Sequence, residues 1–394
     1  MWLTPGVRGI GLASFLSDLG HEIPTALLPS FLSSVFGAPA AALGLIEGIA
    51  DGLSGIAKFG GGALADDPGR RRNIAIGGYT ATAILSSLIG AATAVWQVGL
   101  LRAAAWTARG IRGPARNALL ADAVDPSAFG RAYGFERAMD NAGAVFGPLV
   151  ALALVTLIGV RAAIFVSIIP GLLAAVAIVY AVRHLARPRS RHAGPLRFVV
   201  RPLLRGPLGA LLIAVALFEA GNVAATMLIL RTTDVLTPTA GSQTATTIAI
   251  ALYTGYNVAG TLASVLAGRL ADARGGRLVF GLGVVLFGAA YLGFAVAPDA
   301  VALALAFLAA GVGIGAVETA ENAAVARLAP VELRGSAFGL LAAIQSVGDL
   351  VASVAVGLIW TLVSPTAAFG VAALAMAASL VALAAASRRA ESTS

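Results

Sequence analysis

The chain has 394 residues, of which 58% are hydrophobic and only 12% are charged, whereas a soluble globular domain carries about 25% charged residues. Its formal net charge of +8 does not indicate a nucleic-acid partner, because the arginines lie in short segments between long apolar stretches. The chain has no cysteine, which excludes a disulfide framework and a thiol-based metal site.

Twelve apolar stretches of membrane-spanning length follow one another along the chain. A spanning helix needs about 20 predominantly apolar residues, and we divided the sequence at charged and Pro/Gly-rich positions. The stretches lie near residues 8–36, 39–62, 73–95, 97–120, 130–157, 161–182, 207–231, 244–267, 278–297, 301–326, 335–362 and 366–387. The sequence therefore predicts an all-α, polytopic membrane protein with twelve transmembrane helices.

A basic segment, residues 183–206, separates the sixth and seventh spans. We predict that it is a cytoplasmic linker between an N-terminal bundle of six helices, residues 1–182, and a C-terminal bundle, residues 207–394. Both termini are predicted to be cytoplasmic, because Lys and Arg concentrate in cytoplasmic loops. With that orientation, all but three of the 27 Lys and Arg residues lie towards the cytoplasm, the three being Arg102, Arg161 and Arg231.

A polar loop after the second span has a copy later in the chain. Gly62 to Arg72 reads G-A-L-A-D-D-P-G-R-R-R, and Gly268 to Arg277 reads G-R-L-A-D-A-R-G-G-R. A second pair of segments, beginning at Asn117 and Asn322, shares further identities at nearly the same offset. Two matches in register predict a duplicated half, as in many secondary transporters.

The loop and the layout together resemble the major facilitator superfamily. The pattern G-x-L-A-D-x-x-G-R-R, its weaker copy and the six-plus-six arrangement extend over nearly the whole chain. The resemblance implies two pseudo-symmetric six-helix bundles that open alternately to the two sides of the membrane. It also implies that these loops hold the cytoplasmic ends of the bundles together in the outward-facing state, through Asp66, Gly69, Arg70 and Arg71, with Asp272 and Arg277 in the copy. We assign three further acidic residues to gating: Asp51, Asp140 and Asp349.

Span 5 contains Gly143-x-x-x-Gly147-Pro148, which resembles a motif of the proton-coupled, drug-efflux-like exporters of that family. Small residues allow close helix packing, and a proline inside a helix removes a backbone donor and kinks it. The exporters also carry an arginine on helix 4, four residues before a glycine that aligns with Gly110. Here that position is Trp106, and Arg102 lies one turn earlier.

Ten of the 19 acidic residues lie inside predicted spans: Asp18, Glu22, Glu47, Asp51, Glu136, Asp140, Glu219, Glu318, Glu321 and Asp349. An ionisable group at mid-bilayer costs at least about 2.5–3.5 kcal/mol on insertion scales, so each is a functional candidate. Asp18, His21 and Glu22 follow an i, i+3, i+4 spacing and share one helix face.

In the resembled fold, helices 1, 4, 7 and 10 line the central cavity. Clustered carboxylates in a medium of low dielectric can carry a proton at neutral pH, and we assign proton coupling to Asp18, Glu22 and Glu219. Many carboxylates and few cations favour a cationic substrate, a proton or both. The residues assigned to substrate binding are His21, Arg102, Trp106, Asn222, Tyr253, Tyr256, Glu318 and Asn322.

We therefore predict a secondary active transporter of the bacterial inner membrane, a monomer that exports a small cationic or amphipathic solute in exchange for protons. The chain lacks the nucleotide loop G-x-x-x-x-G-K-[ST], so ATP is not its energy source, and we expect no enzymatic activity and no cofactor. Two alternatives stay open. One is a transporter of divalent transition-metal ions with Asp18, His21 and Glu22 as ligands; the other is a non-transporting membrane receptor or scaffold.

Overall fold

The computed structural model describes residues 2–185 and 200–391, and within these residues it contains helices and no strand. The helices are α1 (Pro5–Phe36), α2 (Ala40–Ala65), α3 (Pro68–Leu88), α4 (Val95–Asp122), α5 (Phe129–Val166), α6 (Ile168–Arg183), α7 (Gly206–Glu219), α8 (Ala225–Ala240), α9 (Ser242–Arg274), α10 (Gly276–Val296), α11 (Ala300–Leu328), α12 (Arg334–Leu362) and α13 (Pro365–Glu391). The predicted all-α fold is confirmed.

Length and composition make the chain a multi-pass membrane protein. Seven helical stretches among the described residues are long and apolar enough to cross a membrane by these criteria alone. α4 is 28 residues long but is not one of them, because arginines interrupt its apolar sequence. Two of these arginines, Arg102 and Arg112, are only 2% and 4% exposed, so α4 directs its charges into the protein.

The chain divides into two compact units. The first draws its described residues from Met1–Ala132, Met139–Val200 and Ala329–Ala343, and the second from Tyr133–Ala138, Arg201–Leu328 and Ile344–Ser394. In the first unit α1 packs on α6, α2 packs on α4, and α3 packs on both α4 and α6. In the second, α11 packs on α9 and α10, and α13 packs on α7 and α10.

The predicted bundle boundaries and linker stay a prediction. Of the predicted linker, residues 186–199 lie outside the described residues.

The predicted seventh span, 207–231, is wrong in its extent, because the helix breaks in its middle. α7 ends at Glu219 and α8 begins at Ala225. The backbone groups released by the break find local partners, since the amide of Val223 donates to Tyr291 Oη at 2.7 Å and that of Asn222 to the Glu219 carbonyl at 3.0 Å. Such partners are required of irregular backbone at membrane depth, and broken helices often form the binding sites of transporters.

A second irregularity lies between the fifth and sixth predicted spans. Gly159 has a φ of 78° and a ψ of 166°, and it interrupts the helical backbone inside α5. A positive φ of this kind is readily adopted only by glycine. The predicted break near residue 159 is therefore confirmed, although the helix resumes and continues to Val166 before α6 starts.

Close approach of α2 and α4 depends on Gly61. A Cβ atom at this position would lie 2.5 Å from the carbonyl oxygen of Ile111 and 2.6 Å from its Cα, whereas a Cβ at the neighbouring Gly60 would meet nothing within 4 Å. The obstructing atoms at Gly61 are backbone, so they cannot rotate away. The two neighbouring glycines therefore differ in whether a side chain can be added, since Gly61 is closely packed and Gly60 is not.

We expect Gly61→Ala to destabilise the protein by about 1–3 kcal/mol, the usual cost of forcing extra atoms into a packed interface. Gly60→Ala is the control, and we expect it to be neutral or slightly stabilising because alanine favours helix. Thermal unfolding of the detergent-purified variants measures both changes. Equal melting temperatures for the two variants would contradict the packing of α2 on α4.

Candidate functional site

A partly buried network of two acids, an imidazole and a guanidinium joins α1 to α4. Arg109 Nη2 lies 3.1 Å from Asp18 Oδ1, and Arg109 Nη1 lies 2.8 Å from His21 Nδ1 and also contacts its Nε2. His21 Nε2 is 3.2 Å from Glu22 Oε1. Asp18 and His21 are only 5% and 4% exposed. We call these four residues the α1–α4 network.

The hydrogen-bond chemistry of the α1–α4 network constrains His21. A guanidinium has only donors, so an imidazole nitrogen that faces Arg109 can bond to it only as an acceptor. The Ser17 carbonyl oxygen lies 3.0 Å from Nδ1, and Asp18 Oδ1 lies 3.4 Å from the same nitrogen. The imidazole therefore lies among the guanidinium and the two carboxylates.

A second charged layer joins α4 to α2. Arg102 Nη2 lies 3.0 Å from Glu47 Oε2, and Arg102 Nη1 donates to Thr25 Oγ1 at 3.0 Å. The Arg102 guanidinium carbon is 3.4 Å from the centre of the Trp106 ring, a cation–π contact. Trp106 Nε1 donates to Asp51 Oδ1 at 2.9 Å. The structure thus brings Arg102, Trp106 and Asp51 together.

Two further arginines of α4, after Arg102 and Arg109, also contact neighbouring helices. Arg112 Nη2 donates to Ser17 Oγ at 2.7 Å, and its guanidinium carbon lies 3.8 Å from the centre of the Tyr79 ring. Arg116 Nη1 is 3.4 Å from Asp140 Oδ1. The expectation of few cations is therefore wrong for the first unit, where α4 supplies a guanidinium to each layer of carboxylates.

Sequence reasoning missed Arg109, although a signal was present. Arg102, Arg109 and Arg116 are separated by seven residues each, a spacing that keeps side chains on one face of a helix. The exporter motif predicts an arginine at the position of Trp106. The structure instead places the guanidinium that contacts Asp18 and His21 three residues later, on Arg109 directly before Gly110.

The glycine motif of α5 packs against the acidic face of α1. A Cβ atom at Gly143 would lie 2.5 Å from the Phe15 carbonyl oxygen and 2.9 Å from Asp18 Cβ, and one at Gly147 would overlap Glu22 Cβ. The predicted close packing is confirmed in the first unit. α5 therefore packs on the face of α1 that carries Asp18 and Glu22.

In the second unit, the predicted site residues gather beside the break between α7 and α8. Asn222 Nδ2 lies 2.9 Å from Glu219 Oε2 and 3.4 Å from Asp349 Oδ1, so one amide bridges two carboxylates. Arg137 Nε lies 3.3 Å from Glu318 Oε2. Glu219 is 3% exposed, and its burial would be costly without the amide donor.

The remaining predicted binding residues lie on α9 and α11. The rings of Tyr253 and Tyr256 stack, with centroids 5.7 Å apart and planes 19° apart. Asn322 donates through Nδ2 to the Glu318 carbonyl of its own helix at 2.8 Å. Tyr256 lies within electrostatic range of Glu318 and Asp349, so the aromatic pair borders the acidic residues of the second unit.

The predicted gate residue Asp66 ends α2 and contacts the first turn of α12. The Ser336 amide donates to Asp66 Oδ1 at 2.7 Å, and the Ser336 hydroxyl donates to Oδ2. Partial burial raises the pKa of Asp66 above its ordinary 3.8, and the donors from Ser336 oppose that rise. Asp66 therefore connects segments that are 270 residues apart in sequence.

Arg71 contributes a second connection at the same place. Its Nη1 lies 2.6 Å from Asp122 Oδ2 at the end of α4, and its Nε donates to the Ala65 carbonyl at 2.6 Å. Arg334, at the start of α12, lies 3.3 Å from the other oxygen of Asp122. Arg71 is 1% exposed, so the arginine serves more than topology.

The other predicted gate residues make local contacts. Arg70 pairs with Asp67 of its own loop at 3.2 Å, and the Gly69 amide donates to Asp67 Oδ1 at 2.8 Å, which caps α3. In the copied loop, Asp272 is 4.0 Å from Arg327, and Arg277 is half-buried near the start of α10.

The metal-site alternative is not formed by its three residues. Both ring nitrogens of His21 face Arg109, a cation that competes with a metal ion for the same lone pairs. Across the described residues, no group of three or more His, Asp or Glu side chains is arranged to hold a metal ion.

Comparison with known proteins identifies the fold and the family. The family model of the Major Facilitator Superfamily matches residues 10–250 and 232–394. An uncharacterized MFS-type transporter of Methanocaldococcus jannaschii is 26% identical over 369 residues, which cover 93% of this chain and 91% of that protein. An uncharacterized protein of Mycobacterium tuberculosis is 30% identical over 196 residues, or 48% of this chain and 47% of that protein.

Two solved structures share the fold at low sequence identity. A bacterial homologue of the iron transporter ferroportin, in an outward-facing state, has a TM-score of 0.77 at 18% identity and covers 97% of this chain and 99% of its own. The human organic anion transporter MFSD10 has a TM-score of 0.74 at 14% identity and covers 96% and 99%. Since the family model spans nearly the whole chain, the chain belongs to the Major Facilitator Superfamily and is a membrane transporter of that type.

Proposed function

We propose that this transporter is a proton-coupled antiporter that exports a small cationic or amphipathic solute by alternating access. The observation that carries the proposal is the α1–α4 network, in which Arg109 bonds to both Asp18 and His21. Buried ionisable groups at membrane depth are costly and are kept for function. A network of acids around an imidazole is suited to accept and release protons.

Protonation of Asp18 would change the partners of Arg109. While Asp18 is ionised, its charge and that of Arg109 cancel, and the hydrogen bond is charge-assisted. A proton on Asp18 removes the negative charge, so the guanidinium loses its strongest partner and is free to bind elsewhere. Because Gly143 packs directly against Asp18, a shift of Arg109 or Asp18 would move α1 relative to α5.

His21 would connect Asp18 to Glu22. Its two ring nitrogens lie 3.4 Å from Asp18 Oδ1 and 3.2 Å from Glu22 Oε1. An imidazole can take a proton on one nitrogen and release one from the other. Glu22 is the more exposed carboxylate of the two, so we assign it the exchange of protons with water and assign Asp18 the buried end.

The acidic residues of the second unit support a cationic solute. Glu219 ends α7 at the helix break and interacts electrostatically with Glu318 and Asp349, which also interact with Tyr256 of the stacked tyrosine pair. Carboxylates attract a cation, and tyrosine faces add cation–π attraction and apolar area. Together they suit an organic cation with an aromatic or aliphatic body.

The main test is transport by the purified protein in liposomes with an imposed pH gradient, using tetraphenylphosphonium as the probe cation. We expect Asp18→Asn to reduce gradient-driven flux to the level of empty liposomes, because asparagine cannot exchange a proton. Asp125→Asn, at an exposed loop position, is the control and should transport like the wild type.

Parallel assays with Mn²⁺ and with an organic anion separate the competing substrates. Gradient-driven tetraphenylphosphonium flux that survives in Asp18→Asn would contradict proton coupling through the α1–α4 network. Flux of Mn²⁺ alone, lost in Asp18→Asn, would favour the metal transporter, and flux of the anion alone would contradict a cationic solute. The alternative of a non-transporting receptor or scaffold is wrong, since the chain is a membrane transporter of the Major Facilitator Superfamily type.

We also infer that the contacts of Asp66 and Arg71 form a gate that must close and open in each cycle. Asp66→Ala removes the acceptor for both donors of Ser336, and we expect a loss of about 1–3 kcal/mol of stability and a lower rate of flux. Asp125→Ala serves as the control. Unchanged stability and flux in Asp66→Ala would remove Asp66 from the gate.

The pH dependence of the same contact has a defined sign. Because the pKa of Asp66 is raised by burial, the folded protein binds its proton more tightly than the unfolded chain does. The resulting stability is complete below the unfolded pKa of 3.8 and falls as the pH rises through the folded pKa. Asp66→Asn imitates the protonated form. The melting temperature of Asp66→Asn minus that of the wild type should therefore increase as the pH rises through this window. A constant difference would contradict the assignment.

A further inference from the structure

Glu321, on α11, is a buried acid outside the α1–α4 network. Its exposed fraction is 0%, and its Oε1 accepts a hydrogen bond from the Gln345 side-chain amide on α12. Within the part of the chain that the structure describes, its Oε2 is buried and has no hydrogen-bond donor. An ionised carboxylate oxygen in such a place lacks the donors that would offset its lost hydration.

The charged groups that interact with Glu321 lie on four helices. Glu318 lies on α11 itself, Asp349 on α12 and Glu219 on α7, and the cation that acts on Glu321 is Arg137 of α5. Arg137 is also 3.3 Å from Glu318 Oε2, so its charge is shared.

We propose that Glu321 is a second proton-binding residue of the transporter, separate from the α1–α4 network. A proton on Oε2 turns an acceptor without a donor into a neutral hydroxyl and removes one negative charge from the group. Gln345 fixes which oxygen stays available, because its amide occupies Oε1. Gln345 is thus a positioning residue.

A proton fits this position better than any other cation. A metal ion needs several ligands at defined distances, and the described residues contain no arrangement of three His, Asp or Glu side chains that could hold one. An organic cation needs space, and Glu321 is fully enclosed. A proton needs one oxygen and no cavity.

The consequence for transport concerns charge balance, and it rests on the proposed proton-coupled function. Glu321 interacts with Glu219, which ends α7 at the helix break. If the α1–α4 network and Glu321 each carry one proton inward while one monovalent cation leaves, one net positive charge enters per cycle. Exchange would then respond to the membrane potential as well as to the pH gradient.

Infrared difference spectroscopy of the full-length purified protein tests proton binding without any substrate. A protonated carboxyl group shows a C=O stretching band that an ionised one lacks. We expect a band in the wild type and in Asp18→Asn that disappears in Glu321→Gln. Asp234→Asn, at an exposed position, is the control and should keep it.

Gln345→Leu distinguishes proton binding by Glu321 from a merely structural role of Glu321, because only proton binding produces a carboxyl band that this substitution can shift. Removing the amide donor to Oε1 should shift the frequency of the Glu321 band without abolishing it, and this variant also serves if Glu321→Gln fails to fold. An identical band in the wild type, Glu321→Gln and Gln345→Leu would overturn the proposal. Because the band is measured without transport, its absence would leave the test of Asp18 in liposomes unaffected, and a failed Asp18 test would leave the band interpretable.

Discussion

The pairing of α4 guanidinium groups with carboxylates of neighbouring helices is the constraint on which the first unit depends. Arg102 meets Glu47 of α2, Arg109 meets Asp18 of α1, and Arg116 meets Asp140 of α5. A single buried charge would be expensive, whereas a hydrogen-bonded pair offsets much of its desolvation. These pairs fix the register of α4 against three helices. They also make that register sensitive to any event that neutralises one partner, which is what a proton does.

The second unit handles its charges differently. There, carboxylates gather around a break in a helix, and amides rather than arginines supply many of the donors: Asn222 for Glu219 and Asp349, and Gln345 for Glu321. An amide satisfies one oxygen but does not cancel a charge. In the first unit the acids are therefore paired with fixed positive charges. In the second, Asn222 and Gln345 donate hydrogen bonds without cancelling the charge of the acids that they contact.

Much of the fold followed from the sequence because membrane helices leave a strong apolar signal, and the duplicated loops indicated the family. The acids Asp18, Glu22 and Glu219 became candidates for the same reason, since charge inside an apolar stretch is conspicuous. Arg109 was missed because it was read as one of many topology-setting arginines, and only the packing of α4 on α1 shows its partner. The break after Glu219 was missed because an apolar sequence with one glycine does not reveal its hydrogen-bond partners. There the Tyr291 hydroxyl oxygen accepts the hydrogen bond of the Val223 amide.

A double-mutant cycle across Asp18 and Arg109 tests the central claim most directly. If the two side chains form a buried pair whose charges compensate each other, Asp18→Asn and Arg109→Gln should each lower the stability by about 1–3 kcal/mol, and the double variant should recover most of the loss. Thermal unfolding in detergent gives all three values. Strictly additive losses of stability would show that the two residues act independently. The account of proton coupling, in which protonation of Asp18 releases Arg109, would then fail.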